Sequence, residues 1–246
     1  MKFIQIEKVK FLYLKSKLKK TIMKKITFLL SLLISAVSFG QATDLYFSMY
    51  GEGSSNHKWL EIYNGTGADV DLSNYLAVIY TNGNGEDTPG NSYDFAGMPV
   101  LAHGDVFVIA NENADAAILA EADVTDDVTF FNGDDSVALY NNGTLIDLIG
   151  EFGSDPGSGW TVGSVTEATK DHTLIRKSSV CSGNTAPLGS FGTDDDTSEW
   201  LIYDNGTQWE TIGSYSGCGN MAVGDVLLNE FVMSVCHSPK IYSGRN

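Results

Sequence analysis

Asp171 and His172, in KDHTLIRK, come closest in this chain to an acid–base pair. Such a pair would need the carboxylate to orient the imidazole. Neighbours along a strand point to opposite faces, so adjacency alone cannot make a dyad. A structural turn residue beside a strand is the ordinary reading. Glu61, in W-L-E-I-Y, becomes a buried carboxylate in need of partners if its face is the inner one. It is read as a hydrogen-bonded structural Glu before a catalytic one. Four acid-rich loops, Asn82–Asp87, Asp123–Asp127, Asp134-Asp135 and Asp194–Asp196, offer the oxygen ligands that Ca2+ takes. Asp134-Asp135 is the best placed, directly after the Asn132-Gly133 turn. None of the four fits a twelve-residue calcium loop, and solvated surface is the competing reading. G-x-S-x-G, H-E-x-x-H and G-x-x-x-x-G-K-[ST] are all missing, so the nucleophile-elbow, zinc-protease and phosphate-loop chemistries have no motif here. No catalytic, cofactor-binding or metal-ligating residue is assigned.

The aromatic residues Tyr46, Phe47, Tyr50, Trp59, Tyr63, Trp160, Trp200 and Trp209 could line a sugar platform, but a core of this size needs them too. Trp160, in DPGSGW, has the loopiest context. The cysteines are Cys181, Cys218 and Cys236, an odd number that allows at most one pair within the chain. Cys181 in VCSGN and Cys218 in YSGCGN sit in Gly/Ser-rich turns flanking one segment, which favours Cys181–Cys218. A Cys218–Cys236 bridge and three reduced thiols are the alternatives. A metal site is disfavoured, with His237 the only nearby His and no C-x2-C pair.

The elements that must position these residues are short strands. Alternation and β-branched or aromatic content predict strands over Asp44–Met49, Lys58–Tyr63, Tyr75–Tyr80, Asp105–Ala110, Val128–Phe131, Ser136–Tyr140, Thr144–Ile149, His172–Lys177 and Glu199–Tyr203. Asn-Gly recurs at 64–65, 82–83, 84–85, 132–133, 142–143 and 205–206, and both residues accept positive φ. The cleanest predicted hairpin is SVALY–NNG–TLIDLIG. One helix is expected, over Ala114–Ala122, capped by Asn113 or Asp115 and facing Ile118 and Leu119 inward. This spacing of strands and Gly-rich loops predicts an all-β sandwich.

The N-terminus reads as an address. Lys24 and Lys25 precede the apolar run Ile26–Phe39, which is too short for a stable membrane span and is followed by small residues. A secretory signal over 1–40, cleaved before Gln41, is expected, with 1–22 an upstream over-extension and Met23 the natural start. A retained signal anchor is the alternative. After cleavage no membrane span is expected, and the destination is periplasm, cell surface or medium, where disulfides persist. Residues 41–246 hold six basic and thirty acidic residues, a formal charge near -24. This argues against nucleic acid as a direct partner, since phosphate binding needs Lys and Arg. The expected body is 41–216. After it, 217–246 read as a linker and the fresh strand signal Asp225–Phe231: either a terminal strand that docks on the body or the start of a second unit.

Four segments in order then resemble the bacterial branch of the lamin-tail domain family. They are YGEGSSNHKWLEIYNGTGADVDLSNY (50–75), FNGDDSVALYNNGTLIDLIGEFGSDPGSGW (131–160), ATKDHTLIRKSSV (168–180) and SEWLIY (198–203). The resemblance covers about 43–215. It implies an immunoglobulin-like β-sandwich in a secreted accessory module, with no catalytic residues to carry over and a bridge like Cys181–Cys218. GDVLLNEF (224–231) resembles the opening strand of another such domain, which favours a truncated second unit. The expected function is a non-catalytic module for binding, adhesion or assembly, with a protein or glycan partner and no cofactor. An accessory fragment of a secreted hydrolase, most plainly an endonuclease, is the alternative.

Overall fold

The structure, a computed structural model, describes residues 41–218, together with Lys15, Lys17, Lys19, Lys20, Met23 and Lys24. The chain divides into two units, 1–39 and 40–246, and the six described residues of the first are helical and exposed. The apolar run Ile26–Phe39, the strand signal Asp225–Phe231, Cys236 and His237 lie outside the described residues. Among the described residues no helix is long and apolar enough to cross a membrane.

The body is built from ten strands: β1 (Tyr46–Glu52), β2 (Lys58–Tyr63), β3 (Tyr75–Tyr80), β4 (Ser92–Asp94), β5 (Val106–Ala110), β6 (Val124–Thr125), β7 (Ser136–Asn141), β8 (Thr144–Ile149), β9 (His172–Arg176) and β10 (Trp200–Asp204). They form a six-stranded sheet in the order β10-β9-β1-β2-β5-β6 and a four-stranded sheet in the order β4-β3-β7-β8. All pairings are antiparallel except β5 with β6. The architecture is the expected immunoglobulin-like sandwich.

Period-2 alternation sorts side chains between the faces. Phe47, Tyr50, Leu60, Ile62, Phe107 and Ile109 of the larger sheet join Tyr75, Ala77, Ile79, Val137, Leu139 and Ile149 of the smaller in the main core. The outer face of the larger sheet carries a second cluster, with Tyr46, Met49, Trp59, Tyr63, Val106 and Val108. Helix α1 (Ala116–Glu121) covers part of it through Ile118. Both faces of β2 are therefore buried along its whole length.

A bulge at Ser48 resets the phase of β1. Phe47 pairs with Ile62 and Met49 with Glu61, which leaves Ser48 without a partner residue. Without this insertion Tyr50 would turn away from the core. The hairpin at Asn142-Gly143 forms as expected: Asn141 faces Thr144, and both turn residues have positive φ, 49° and 73°. Strands β4 and β6, with three and two residues, escaped the sequence pattern. The expected strand over Val128–Phe131 is corrected. Asp127–Thr129 is a 3-10 turn, because the Asp126 carboxylate caps it by accepting from Val128 N at 2.8 Å.

Candidate functional site

Asp171, His172, Asp134, Asp135 and Glu61 fall in two of three polar clusters. The first lies at the end of the sandwich where β1 runs into β2. Cross-strand pairing sets Glu52 opposite both Lys58 and His172. Lys58 Nζ stands 3.1 Å from Glu52 Oε1 and also donates to the Phe131 carbonyl. The other Glu52 oxygen accepts from the backbone N–H of Asp171, a residue held at φ 54°. Asp171 Oδ1 accepts from Asn205 Nδ2 at 3.3 Å, and His172 Nδ1 lies 2.6 Å from the Lys170 carbonyl. Asp171 and His172 are thus both committed to local backbone and loop contacts, and not to each other.

Asp134 and Asp135 approach the same end. Both are buried. Asp135 Oδ1 accepts from Asn82 N at 2.8 Å, and its Oδ2 accepts from Asn132 N at 3.0 Å. Burial raises both carboxyl pKa values, opposed for Asp135 chiefly by the Asn82 N–H. Glu52 is raised by burial as well, against the Asp171 N–H and Lys58. Asp135 therefore ties loops 82–87 and 131–135 together. Among the described residues no group of three or more His, Cys, Asp or Glu could hold a metal ion.

The second cluster lies between the sheets. Arg176 on β9 and Asp147 on β8 are almost wholly enclosed, 1% and 0% exposed. Arg176 reaches Asp147 Oδ2 at 2.5 Å and Glu199 Oε2 at 2.6 Å, donates through Nε to the Phe47 carbonyl, and lies 4.1 Å over the Trp200 ring. Asp147 Oδ2 also accepts from Phe47 N at 2.9 Å, and its Oδ1 from Asn184 N at 2.8 Å. The cluster joins β1 and β9 of one sheet to β8 of the other. Sequence reading missed it. The available signal was a lone Arg on the inward alternation of H-T-L-I-R.

The third cluster centres on Glu61, on the outer face of β2 and fully buried. Ser48 Oγ, turned outward by the bulge, donates to Oε1 at 2.7 Å, and Gly213 N donates to Oε2 at 2.8 Å. Burial pushes the Glu61 carboxyl up to about 7, against the pull of these two donors. From Gly213 the chain crosses the outer face. Tyr215 packs edge-on against Tyr63 and Tyr46, with ring centroids 4.9 and 6.4 Å away, and donates to the Lys177 carbonyl. The crossing ends at Cys218, which is bonded to Cys181 with Cα atoms 4.9 Å apart.

Tyr46, Phe47, Tyr50, Trp59, Tyr63, Trp160 and Trp200 are all buried, and Trp209 is half-buried, edge-on to His57 at 5.3 Å. They form core and not a platform. Trp160 is buried despite its loop, with its backbone N–H on Thr169 Oγ at 2.8 Å.

Residues 40–153 match the Lamin Tail Domain family. The chain carries a lamin tail domain. Lamin tail domains are non-enzymatic immunoglobulin-like modules, and the two sheets described above have that form. The match takes in β1 to β8. Strands β9 and β10, which bring Arg176 and Trp200 to the core, lie beyond it and complete the larger sheet of the sandwich. No curated protein matches the chain.

Proposed function

We propose that this lamin tail domain is a secreted, non-catalytic module that makes binding or assembly contacts at the cell envelope or outside the cell. The observation that carries this reading is the engagement of the groups best suited to acid–base work. Asp171, His172, Glu61 and Asp135 all sit against local structural groups: Glu61 and Asp135 bind two donors each, and burial disfavours their charge. Export is supported by the basic-then-apolar pattern before Gln41 and by the Cys181–Cys218 bond, which suits an oxidising compartment. In this reading 1–40 is the signal, 41–216 the module, and 217–246 a linker with the start of a second unit. The partner is a protein or glycan surface and not nucleic acid: of the four cations of 41–218 (Lys58, Lys170, Arg176 and Lys177), Lys58 and Arg176 are buried in ion pairs.

The test is to express the full chain in a bacterial host and sequence the N-terminus of the exported product. It should begin at Gln41, bind isolated envelopes saturably, and leave plasmid DNA and phosphomonoesters intact with Ca2+ or Mg2+ present. Retention at full length in the cytoplasm overturns export, and a full-length product in the envelope overturns cleavage before Gln41. Hydrolysis that disappears in His172→Ala overturns the non-catalytic reading. The strand signal Asp225–Phe231 favours one second reading, in which the module is the accessory part of a secreted hydrolase. An in-frame or frameshifted continuation with catalytic motifs in the DNA beyond codon 246 would support it.

A further inference from the structure

Residues 213–218 are held at both ends and, between them, by Tyr215. At one end the Gly213 N–H rests on Glu61; at the other Cys218 is covalently fixed to Cys181. Between them only Tyr215 and Gly217 turn inward, while Ser214 and Ser216 are exposed. A cavity of about 380 Å3, lined by residues 104–106 and 213–216, separates this segment from the loop that enters β5. The segment is therefore gripped at points and not packed along its length, the usual character of a region that opens locally.

We propose that residues 213–218 form a strap, hinged at the disulfide and latched by Glu61, that leaves the outer face of the larger sheet as pH rises from mildly acidic to neutral. The latch is a carboxyl whose two hydrogen-bond partners are uncharged. It stands on a bulge hydroxyl and one strap N–H, and the nearby Arg176 is taken up by Asp147 and Glu199. Opening admits water to the carboxyl, so the ionised form gains most from it. The sign follows from linkage. The closed state favours protonated Glu61, with a pKa near 7, while an open, hydrated carboxyl titrates near 4.5. The opening constant therefore rises with pH between these values and levels off above them. Once open, the Tyr46 and Tyr63 face and the cavity form one continuous recess.

The other titratable or charged groups around the latch are Tyr46, Tyr63 and Tyr215, Arg176, Glu121 of α1, which lies against Gly213, and Asp105 at the cavity. The tyrosines are raised by burial, Tyr215 to about 12, and stay neutral across the window.

The experiment is hydrogen–deuterium exchange of the exported, disulfide-intact protein, followed in a peptide covering 211–218 and corrected for intrinsic exchange rates. Opening should be about thirtyfold greater at pH 8.5 than at pH 5.5. Glu61→Gln should flatten the profile, and Glu121→Gln should leave it as in the wild type. A flat wild-type profile overturns the proposal, as does a pH dependence that survives in Glu61→Gln. Should Glu61→Gln fail to fold, Tyr215→Phe serves: it removes the bond to the Lys177 carbonyl, so opening should increase at every pH with the same pH dependence. A pH-independent Tyr215→Phe overturns the latch.

Discussion

Asp147 and Glu61 are buried equally deeply, both at 0% exposure, yet the protein treats them in opposite ways. Asp147 faces the layer between the sheets and is matched to Arg176, with backbone N–H groups from Phe47 and Asn184 on its remaining lone pairs. Glu61 faces outward under a strap and has two neutral donors. An enclosed carboxylate with a cation and several hydrogen bonds can stay charged; one with two neutral donors is pushed toward its acid form. The first arrangement fixes how two sheets meet. The second leaves a group whose charge answers to pH.

The largest test of this contrast is Arg176→Ala. It leaves Asp147 buried and without its cation, and should cost about 3–5 kcal/mol in a denaturant melt. Replacing both partners should not restore stability, because Phe47 N–H and Asn184 N–H would lose their acceptor. Recovery by an apolar double variant would show that the pair is only filler. Next is Cys181→Ser, which frees the far end of the strap over Glu61. The bond spans a separation of 37 residues. The chain-entropy account gives about 3–4 kcal/mol for that loop, read as a lower Tm. An unchanged Tm would mean the strap is held without its tether.

Glu61→Gln should act in the other direction. Gln can accept from Gly213 N–H and donate to Ser48 Oγ without bringing a charge. The folded-state pKa is raised, so the wild type loses stability from Glu61 as pH rises from about 4.5 to about 7, and no more above that. The variant should match the wild type near pH 4 and exceed it at pH 8 by on the order of 3 kcal/mol. Burial also raises Glu52, Asp134 and Asp135, while hydrogen bonds lower Asp71, Asp194 and Asp195, so the difference between the two proteins is the quantity to plot. Equal stability at pH 8 would mean that water already reaches the carboxyl.

These cases show what the sequence made legible. Strands with clear alternation and Asn-Gly turns, such as β7 and β8, were readable because their signals are local. The Val128–Phe131 run looked like a strand, but one Asp126 cap outweighed its apolar content. The Arg176–Asp147 contact joins residues 29 apart on different sheets, and nothing in either local sequence names the other. Glu61 was legible as a carboxylate needing partners. Its partners were not, since one comes from a bulge and the other lies 152 residues away.

The smallest expected effect comes from a carboxylate at the surface. Asp115 is exposed and caps α1, its Oδ1 accepting from Ala117 N at 2.9 Å. Its own N–H donates to His57 Nδ1 at 3.0 Å, a bond any residue there can keep. Asp115→Ala removes one acceptor for an orphan helix N–H, and water can replace it in part. The cost should be about 1 kcal/mol, seen as a small drop in Tm with no new pH dependence between 5 and 8. Because α1 covers the outer face through Ile118, a loss several times larger would mean that the helix, and not the strap, holds that face closed.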